Sequence, residues 1–343
     1  MDIESLTDLE TKGFVVVRGF LSPDEVQLLR DDHAELTLDD NQNFNSKSPS
    51  SSVMSTLKLR FDDVLRQVTE QTSIHVDVYV PDTSVYFAVG SEVGVNFPWH
   101  QDHESFFLVQ NHYDYVNFYM PIVKPDVGRS NVCVIPFDVL KREAPAAHDF
   151  LVRNGAGHFK PVAGRWLASN DDRGGMCIID KDLEALAVTP ELAVGDLLLM
   201  RGDIIHRTQD AETERVALSW RAASGSTLIS RSRLAGGGVR KAQMMRKHPA
   251  PYQKMFDAFD TAGKDEMPLT ELLEVYELAS TPGPVDPKTF SRRLVAEKRR
   301  AHTFGDYVSS IPMAAGLRGL HFAQQCSGRL GAARQRLAAA RSA

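Results

Sequence analysis

The sequence predicts a mainly β domain, an antiparallel sandwich or barrel with flanking helices. Short runs rich in β-branched and aromatic residues recur between residues 73 and 224, and clusters of Gly, Pro, Asn and Asp separate them. This texture is typical of antiparallel sheets rather than of alternating strands and helices around a parallel sheet. The predicted strands cover residues 74–80, 84–89, 115–123, 131–135, 176–179, 197–200 and 215–222.

The N-terminal segment predicts one strand followed by two helices. Residues 14–20 are apolar and largely β-branched, which favours a short strand. Ser22 is placed to cap a helix that starts at Pro23, and Glu25 completes a capping box, so we expect a helix to about residue 38. The polar residues 39–55 predict a loop, and residues 56–71 predict a second helix.

The later part of the sequence predicts a helical insertion, a long loop and a helical C-terminal extension. Residues 137–153 predict a helical insertion, and residues 154–175 predict a long loop of the kind that forms lids or binding walls. Beyond residue 235 the chain becomes helical and polar. We therefore expect a β domain over residues 1–235 and a helical extension over residues 236–343, packed on or beside the core, with a break at Pro282-Gly283-Pro284.

Composition excludes several classes of protein. The chain has 343 residues, is 43% hydrophobic and 24% charged, and carries a formal net charge of −6, which does not favour nucleic-acid binding. Its three cysteines, Cys133, Cys177 and Cys326, fit neither a disulfide framework nor a cysteine zinc site, which predicts a reducing, cytoplasmic location. No signal peptide and no membrane-spanning run is expected. The expected partner is a small-molecule substrate, with the oligomeric state left open.

The C-terminal segment is basic. Residues 291–343 hold ten Lys and Arg residues against two acids. One interpretation is a basic arm for an anionic partner. The other is a solvated helical face that docks on the acidic body, and the apolar stripe of Leu330, Ala333 and Leu337 favours this second interpretation.

A repeated tripeptide suggests a metal site. His-x-Asp occurs three times, as His75 with Asp77, His100 with Asp102 and His112 with Asp114. On a strand, residues i and i+2 point to the same face, so both side chains can bind one metal ion. With a second histidine from another strand they would form the two-histidine, one-carboxylate set of non-haem Fe(II) oxygenases.

Sequence context ranks the three pairs. His75 and Asp77 fit the polar face of an alternating strand, and the pair at residues 112–114 lies in a polar turn. His100 and Asp102 directly follow a strand break at Pro98 and are the favoured ligands. The distal ligand is expected on a later strand. His206 fits this role because it follows a Gly-Asp turn, an apolar strand and a second turn, although a structural histidine would have the same pattern.

Arg215 lies nine residues after His206 in the sequence. Arg215 and Arg221 share one face of the predicted strand 215–222. A guanidinium inside a barrel requires an anion, and its forked donors match a carboxylate. Either arginine fits that role, and both could instead lie in water at the rim.

Three motifs together resemble the phytanoyl-CoA dioxygenase family of Fe(II)/2-oxoglutarate-dependent oxygenases. They are residues 13–25, residues 99–102 (Trp-His-Gln-Asp), and Gly195-Asp196 followed by His206 and Arg215. The resemblance covers roughly residues 10–225. It implies a double-stranded β-helix core (a jelly roll, cupin-like), and Fe(II) bound by His100, Asp102 and His206, with no catalytic side chain beyond these ligands.

The resemblance also implies the cosubstrates and the reaction. Arg215 would hold the distal carboxylate of 2-oxoglutarate, with Thr208 and Gln101 as further contacts. O2 would be consumed, a C–H bond of a small organic substrate oxidised, and succinate and CO2 released. The presence of Asp102 favours hydroxylation over halogenation.

Two departures from the family pattern keep alternatives open. Residues 135–138 read Ile-Pro-Phe-Asp where family members often have Pro-Gly-Ser-His, and the short gap between His206 and Arg215 keeps Arg221 as the rival cosubstrate contact. Two other functions are compatible with the same ligands. One is a cupin-like metalloenzyme that does not use 2-oxoglutarate, and the other is a non-catalytic barrel that binds a partner.

Overall fold

The computed structural model describes residues 6–37, 46–89, 97–278 and 285–301. The strands are β1 (Phe14–Val17), β2 (Ser46–Lys47), β3 (Val78–Tyr79), β4 (Val85–Val89), β5 (Tyr115–Val123), β6 (Val132–Ile135), β7 (Gly157–Val162), β8 (Arg165–Asn170), β9 (Met176–Ile179), β10 (Leu197–Arg201), β11 (Ile205–Thr208), β12 (Arg215–Ala223), β13 (Leu228–Ser230) and β14 (Glu266–Pro268). The helices are α1 (Asp8–Thr11), α2 (Pro23–Glu35), α3 (Ser51–Gln71), α4 (Glu104–Val109), α5 (Phe137–Glu143), α6 (Pro145–Leu151), α7 (Leu183–Leu186), α8 (Arg231–Ala235), α9 (Val239–Lys247), α10 (Pro249–Ala262), α11 (Leu269–Leu278) and α12 (Pro287–Ala301).

Two antiparallel sheets form the core. The larger has the order β1-β10-β5-β12-β4-β2, with β3 paired to β12. In the smaller, β6 pairs with β11, residue 100 bridges β11 to β7, and β8 and β9 follow. Apolar side chains from both sheets, including Tyr119, Val134 and Leu198, pack into one cluster. The predicted jelly-roll core with flanking helices is therefore confirmed.

Helices α2 and α3 cover the outer face of the larger sheet. Phe61 packs against Phe118 of β5 and Trp220 of β12 with ring centroids 5.2 Å apart in both cases. The predicted capping box at the start of α2 is present, because Ser22 N donates to Glu25 Oε2 at 2.7 Å and Glu25 N donates to Ser22 Oγ at 3.3 Å.

The start of α3 differs from the sequence prediction. The helix begins at Ser51, five residues early, because Ser50 Oγ accepts the N–H of Val53 and caps it. The predicted loop over residues 39–55 is therefore wrong for its last part, and residues 38–45 lie outside the described residues. The predicted strand 74–80 is also shorter, since only Val78–Tyr79 pair in the sheet.

The predicted long loop over residues 154–175 is wrong. It contains the hairpin of β7 and β8, joined by Ala163 and Gly164. Both residues have positive φ, 50° and 78°, which is the backbone that a two-residue hairpin turn of matching twist requires. The sequence conceals this hairpin, because β7 and β8 bury little of their surface and show no regular alternation of apolar and polar residues. The predicted helical insertion at 137–153 is confirmed as α5 and α6.

The C-terminal helices pack on the β domain. One apolar cluster joins Phe106, Phe107 and Tyr115 of the β domain to Met255, Phe259 and other residues of α8–α12. The division at residue 235 stays a prediction. The predicted break at 282–284 and the basic chain beyond residue 301 lie outside the described residues. Among the described helices, none combines the length and apolarity needed to cross a bilayer.

A buried ion pair connects α8 to α12. Arg231 Nε and Nη2 donate to the two Glu297 carboxylate oxygens at 2.7 and 2.6 Å, and both side chains are at most 6% exposed. This bidentate pairing raises the pKa of Arg231. Burial by itself would raise the pKa of Glu297, but the pairing outweighs burial, and the pKa of Glu297 is lowered.

Replacing Arg231 with Met is expected to lower the free energy of unfolding by about 1.5–3 kcal/mol, because it removes the bidentate partner of the buried Glu297 carboxylate and leaves that carboxylate with Arg293 Nε at 2.7 Å. Urea unfolding followed by circular dichroism measures this. Arg300→Met is the control, since Arg300 pairs with Asp265 at the surface, and we expect it to cost under about 1 kcal/mol. Equal losses for the two variants would contradict the prediction.

Candidate metal centre

Two histidines are placed side by side by backbone pairing within the smaller sheet. His100 N donates to His206 O at 3.0 Å, and His206 N donates to His100 O at 2.9 Å. Directly opposed residues of an antiparallel pair present their side chains on one face, so both imidazoles face the interior of the barrel. Their ring centroids lie 4.2 Å apart. The neighbouring side chain of Trp99 faces the other way, into the apolar layer under α5 and α6.

Each imidazole has its orientation and tautomer set by a backbone carbonyl two residues earlier. His100 Nδ1 donates to Pro98 O at 2.8 Å, and His206 Nδ1 donates to Ile204 O at 3.0 Å. A carbonyl oxygen only accepts, so the proton is on Nδ1 and the lone pair on Nε2. This is the arrangement that metal-binding histidines show in proteins.

Asp102 supplies the third donor. Its Oδ1 lies 4.0 Å from His100 Nε2 and 3.9 Å from His206 Nε2. Its Oδ2 accepts hydrogen bonds from Asn117 Nδ2 at 2.6 Å and Arg221 Nε at 3.4 Å. One oxygen is thus held by the protein and the other faces the histidines. Within the described ranges, His100, Asp102 and His206 are the single cluster of metal-donor side chains of this kind.

The protonation states suit a cation. Burial and the neighbouring His206 lower the pKa of His100 to about 3, so its imidazole is neutral at physiological pH. Burial alone would raise the pKa of Asp102, but Arg221 and the two histidines outweigh it and hold the pKa well below its usual range. The neutral imidazole of His100 and the carboxylate of Asp102 are therefore ready to bind a metal without releasing protons.

The side chains of the other two His-x-Asp pairs contact other parts of the protein. His75 Nε2 and Asp77 Oδ2 lie 3.5 Å apart with both side chains about half exposed, and Asp77 Oδ1 accepts the N–H of Gly225. His112 Nε2 lies 3.3 Å from Asp172 Oδ2, and Asp114 Oδ1 accepts the N–H of His75.

A second polar site lies inside the barrel around Arg215. Its Nη1 donates to Ser130 O at 2.7 Å, and its guanidinium carbon lies 5.6 Å from the centroid of the Tyr119 ring. Arg215 Nε, Ser130 Oγ and Tyr119 Oη are all buried and make no hydrogen bond to the described part of the chain. No carboxylate in the described part of the chain pairs with Arg215. A buried cation surrounded by unused donors fits an anion.

Lys124 adds a second positive charge to this site. Its Nζ donates to Val127 O, Asn131 Oδ1 and Leu192 O at 2.5–2.7 Å. Burial, followed by the charge of Arg215, lowers its pKa to about 8. We call Arg215, Tyr119, Ser130 and Lys124 the anion pocket.

The predicted cosubstrate contacts fall in different places. Thr208 is buried on the same face of β11 as His206, and its Oγ1 accepts the N–H of Phe97 at 3.3 Å, which leaves its hydroxyl proton to donate. Gln101 faces away from the metal donors. Its Nε2 donates to Leu151 O and Asp203 O, and its Oε1 accepts the N–H of Gly157. The contact predicted for Gln101 is not retained, because backbone groups occupy its whole amide.

Sequence reasoning missed several residues that build the site. Asn117 and Tyr119 face inward from β5, while Val116, Phe118 and Met120 pack outward under α2 and α3. Two polar residues at alternate positions of an otherwise apolar strand were the available signal. Ser130 and Lys124 lie in a loop, where no periodicity indicates direction.

Neither a protein-family model nor a curated protein matches the sequence. Solved structures with a related chain trace include HygX from Streptomyces hygroscopicus with nickel and 2-oxoglutarate bound, which is 15% identical with a TM-score of 0.42 over 65% of this chain and 87% of that chain. SnoK, a non-heme alpha ketoglutarate-dependent carbocyclase from nogalamycin biosynthesis, is 11% identical with a TM-score of 0.44 over 72% and 90%. EctD from S. alaskensis with 2-oxoglutarate and 5-hydroxyectoine is 17% identical with a TM-score of 0.44 over 67% and 78%.

Replacing His206 with Ala is expected to weaken binding of Co²⁺ at least about 100-fold, because one of three donors is removed. Isothermal titration of the full chain measures the dissociation constant. His75→Ala is the matched control, since it removes the histidine of another His-x-Asp pair, and its affinity should stay within about twofold of the unchanged chain. Similar losses in both variants would show that the ion binds elsewhere.

Proposed function

We propose that this protein is a non-haem Fe(II)/2-oxoglutarate-dependent dioxygenase. The observation that carries the proposal is the set of His100, Asp102 and His206 on one inner face, with both Nε2 lone pairs and one carboxylate oxygen turned toward one another. Two histidines and one carboxylate leave open coordination positions, which non-haem Fe(II) oxygenases use for cosubstrate and O2.

The donor set fits Fe(II). Imidazole and carboxylate donors suit this ion, whereas no cysteine belongs to the cluster. When bound, Fe(II) and 2-oxoglutarate supply the oxidising chemistry, in which O2 is consumed, 2-oxoglutarate becomes succinate and CO2, and a substrate C–H bond is oxidised. The protein supplies fixed ligands, an anchored cosubstrate and an interior that keeps water from the reacting atoms.

Strand register connects the metal centre to the anion pocket. Thr208 lies two residues beyond His206 on the same face, which is about 6.6 Å along a strand. Thr208 pairs with Val132 of β6, two residues after Ser130. The three inner positions His206, Thr208 and Ser130 thus form a short path from the metal to Arg215. A five-carbon dicarboxylate fits this path, with its keto acid end at the metal and its distal carboxylate at Arg215.

Arg215 is favoured over Arg221 as the cosubstrate contact. Arg221 Nε lies 3.4 Å from Asp102 Oδ2 and so contacts the carboxylate that holds the metal. Arg215 lies in a pocket that presents further hydroxyl donors, Tyr119 and Ser130. We therefore assign Arg215 to the distal carboxylate, with Thr208 as a further contact, and Arg221 to the support of Asp102.

Hydroxylation of a small organic substrate is the reaction that we favour, because Asp102 occupies the position that a halide would need. Membership of the phytanoyl-CoA dioxygenase family is also a proposal, supported by the three motifs that surround His100, His206 and the first strand. A cytoplasmic location is part of the same proposal.

The direct test is a succinate and O2-consumption assay with Fe(II) and 2-oxoglutarate. We expect the unchanged chain to form succinate and His206→Ala to lose it. Arg215→Ala should raise the KM for 2-oxoglutarate roughly 30-fold to more than 1,000-fold, which corresponds to the 2–5 kcal/mol that truncating one partner of a buried charge pair costs.

Arg129→Ala is the matched control, because Arg129 neighbours Ser130 in sequence but pairs at the surface with Asp210, and its KM should not change. Arg221→Ala should weaken metal binding more than 2-oxoglutarate binding. Metal binding without succinate would favour a cupin-like enzyme of another class. Succinate formation that survives His206→Ala would reject the ligand assignment.

The titration of Lys124 predicts that binding of 2-oxoglutarate depends on pH. With a pKa near 8 it is charged at pH 7 and neutral at pH 9.5, so its attraction for the distal carboxylate is present below pH 8 and lost above it. The charged groups around it are Arg215, Asp126, Glu191 and Asp196. The dissociation constant for 2-oxoglutarate, measured calorimetrically with Ni²⁺, should rise about tenfold from pH 7 to pH 9.5. Lys124→Met should bind weakly at both values, and a Lys124→Met profile as steep as that of the unchanged chain would contradict the assignment.

A further inference from the structure

A third histidine extends the row that contains the two metal donors. His158 of β7 is directly opposite His100, just as His206 is on the other side of His100. Gln101 N donates to Gly157 O at 2.9 Å, so His100 and His158 form a pair flanked by hydrogen bonds rather than joined by them. Such pairs place their Cβ atoms about 4.5–5.5 Å apart on the same face of the sheet. His158 therefore faces the barrel interior beside a metal donor.

His158 is next to the metal donors without belonging to them. Its Nε2 and Nδ1 fall outside the cluster of His100, Asp102 and His206. The side chain is partly exposed, while the next residue, Phe159, is buried on the opposite face of the hairpin. Burial, and then the nearby charge of Arg240, lower the pKa of His158 to about 4. The ring nitrogens of an imidazole are hydrogen-bonding groups.

Arg240 reaches the same region from the C-terminal helices. It lies on α9, and its Nε is 2.7 Å from Asp171 Oδ2 at the end of the β8 strand. Asp171 also lies 2.7 Å from His103 Nε2, directly after the metal donor Asp102. Asp171 is buried, but 37% of the Arg240 side chain is exposed. Asp171 thus pairs with Arg240 by charge, without a hydrogen bond, while part of the Arg240 side chain reaches solvent.

Cations outnumber carboxylates in the cluster around Asp171 and Asp172. Asp172 is shared by two further cations, with Arg233 Nη2 and Lys241 Nζ both 2.8 Å from its carboxylate. Three cations, Arg233, Arg240 and Lys241, therefore face two carboxylates, Asp171 and Asp172. The cluster thus has one more cation than carboxylates, and Arg240, at 37% exposure, is one of the two members that reach solvent, with Arg233 at 34%.

We propose that His158 and Arg240 bind the substrate, and that the substrate is a small organic molecule carrying a carboxylate or phosphate group. Arg240 pairs with this oxyanion through the exposed edge of its guanidinium. His158 forms a hydrogen bond to a polar group close to the carbon that is oxidised. The two side chains together orient the substrate over the metal centre. This inference rests on the proposed function, since it takes the metal centre as the place of reaction.

The experiment uses the full chain loaded with paramagnetic Co²⁺ and saturated with 2-oxoglutarate. Benzoate and benzamide are a matched anionic and neutral probe pair, and phenyl phosphate tests the phosphate alternative. Proton relaxation of each probe by the bound Co²⁺ reports how closely it approaches the metal. We expect at least fivefold stronger relaxation for one of the anions than for benzamide, and smaller relaxation of that anion in His158→Ala.

Variants of Arg240 test whether its charge selects the anionic probe. Arg240→Gln keeps a polar side chain beside Asp171 but removes the charge, so the preference for the anion should disappear, whereas Arg240→Lys should retain part of it. Arg246→Ala, an exposed arginine on the same helix, is the matched control and should match the unchanged chain. The inference is overturned by equal relaxation of all probes in the unchanged chain, by a preference that survives Arg240→Gln, or by displacement of 2-oxoglutarate by the probe.

Failure of the proposed function gives a different result. Calorimetry of 2-oxoglutarate binding to the Co²⁺-loaded chain tests that function without any probe. Absence of metal-dependent 2-oxoglutarate binding rejects the oxygenase. Normal 2-oxoglutarate binding with no anion preference rejects only the role of Arg240 and His158.

Discussion

The backbone pairing of His100 with His206 is the constraint on which the functional site depends. These two reciprocal hydrogen bonds bring together residues more than a hundred positions apart and turn both imidazoles to the inner face. The carbonyls of Pro98 and Ile204 then set the same tautomer in both rings. Because these partners belong to the backbone, the geometry of the two donors follows from the fold rather than from neighbouring side chains.

Inside the barrel, negatively and positively charged side chains lie in different places. Near the histidines, Asp102 is negative and is supported by Asn117 and Arg221. Near Ser130, Arg215 and Lys124 are positive and share no carboxylate among the described residues. A site with a place for a cation at one position and for an anion at another is suited to a ligand that is held at both ends, and the inward hydroxyl of Thr208 lies between them.

The helical extension contributes more than cover for an apolar surface. Arg233, Arg240 and Lys241 reach from α8 and α9 to the two aspartates at the end of β8. Asp171 in turn contacts His103, the residue after the candidate metal donor Asp102. The C-terminal helices therefore support the mouth of the site through buried charge pairs, whose strength depends on exclusion of water.

Local patterns in the sequence determined the strands of the core, the capping box at Ser22 and the candidate donors His100, Asp102 and His206, because alternation and capping depend on residues close in the chain. Tertiary structure alone decided the rest. The β7–β8 hairpin lacks regular apolar alternation, Gln101 is oriented by backbone groups far from it in sequence, and Arg215 and Arg221 share one strand but face different partners. Such assignments depend on which strands become neighbours, and no local pattern encodes that.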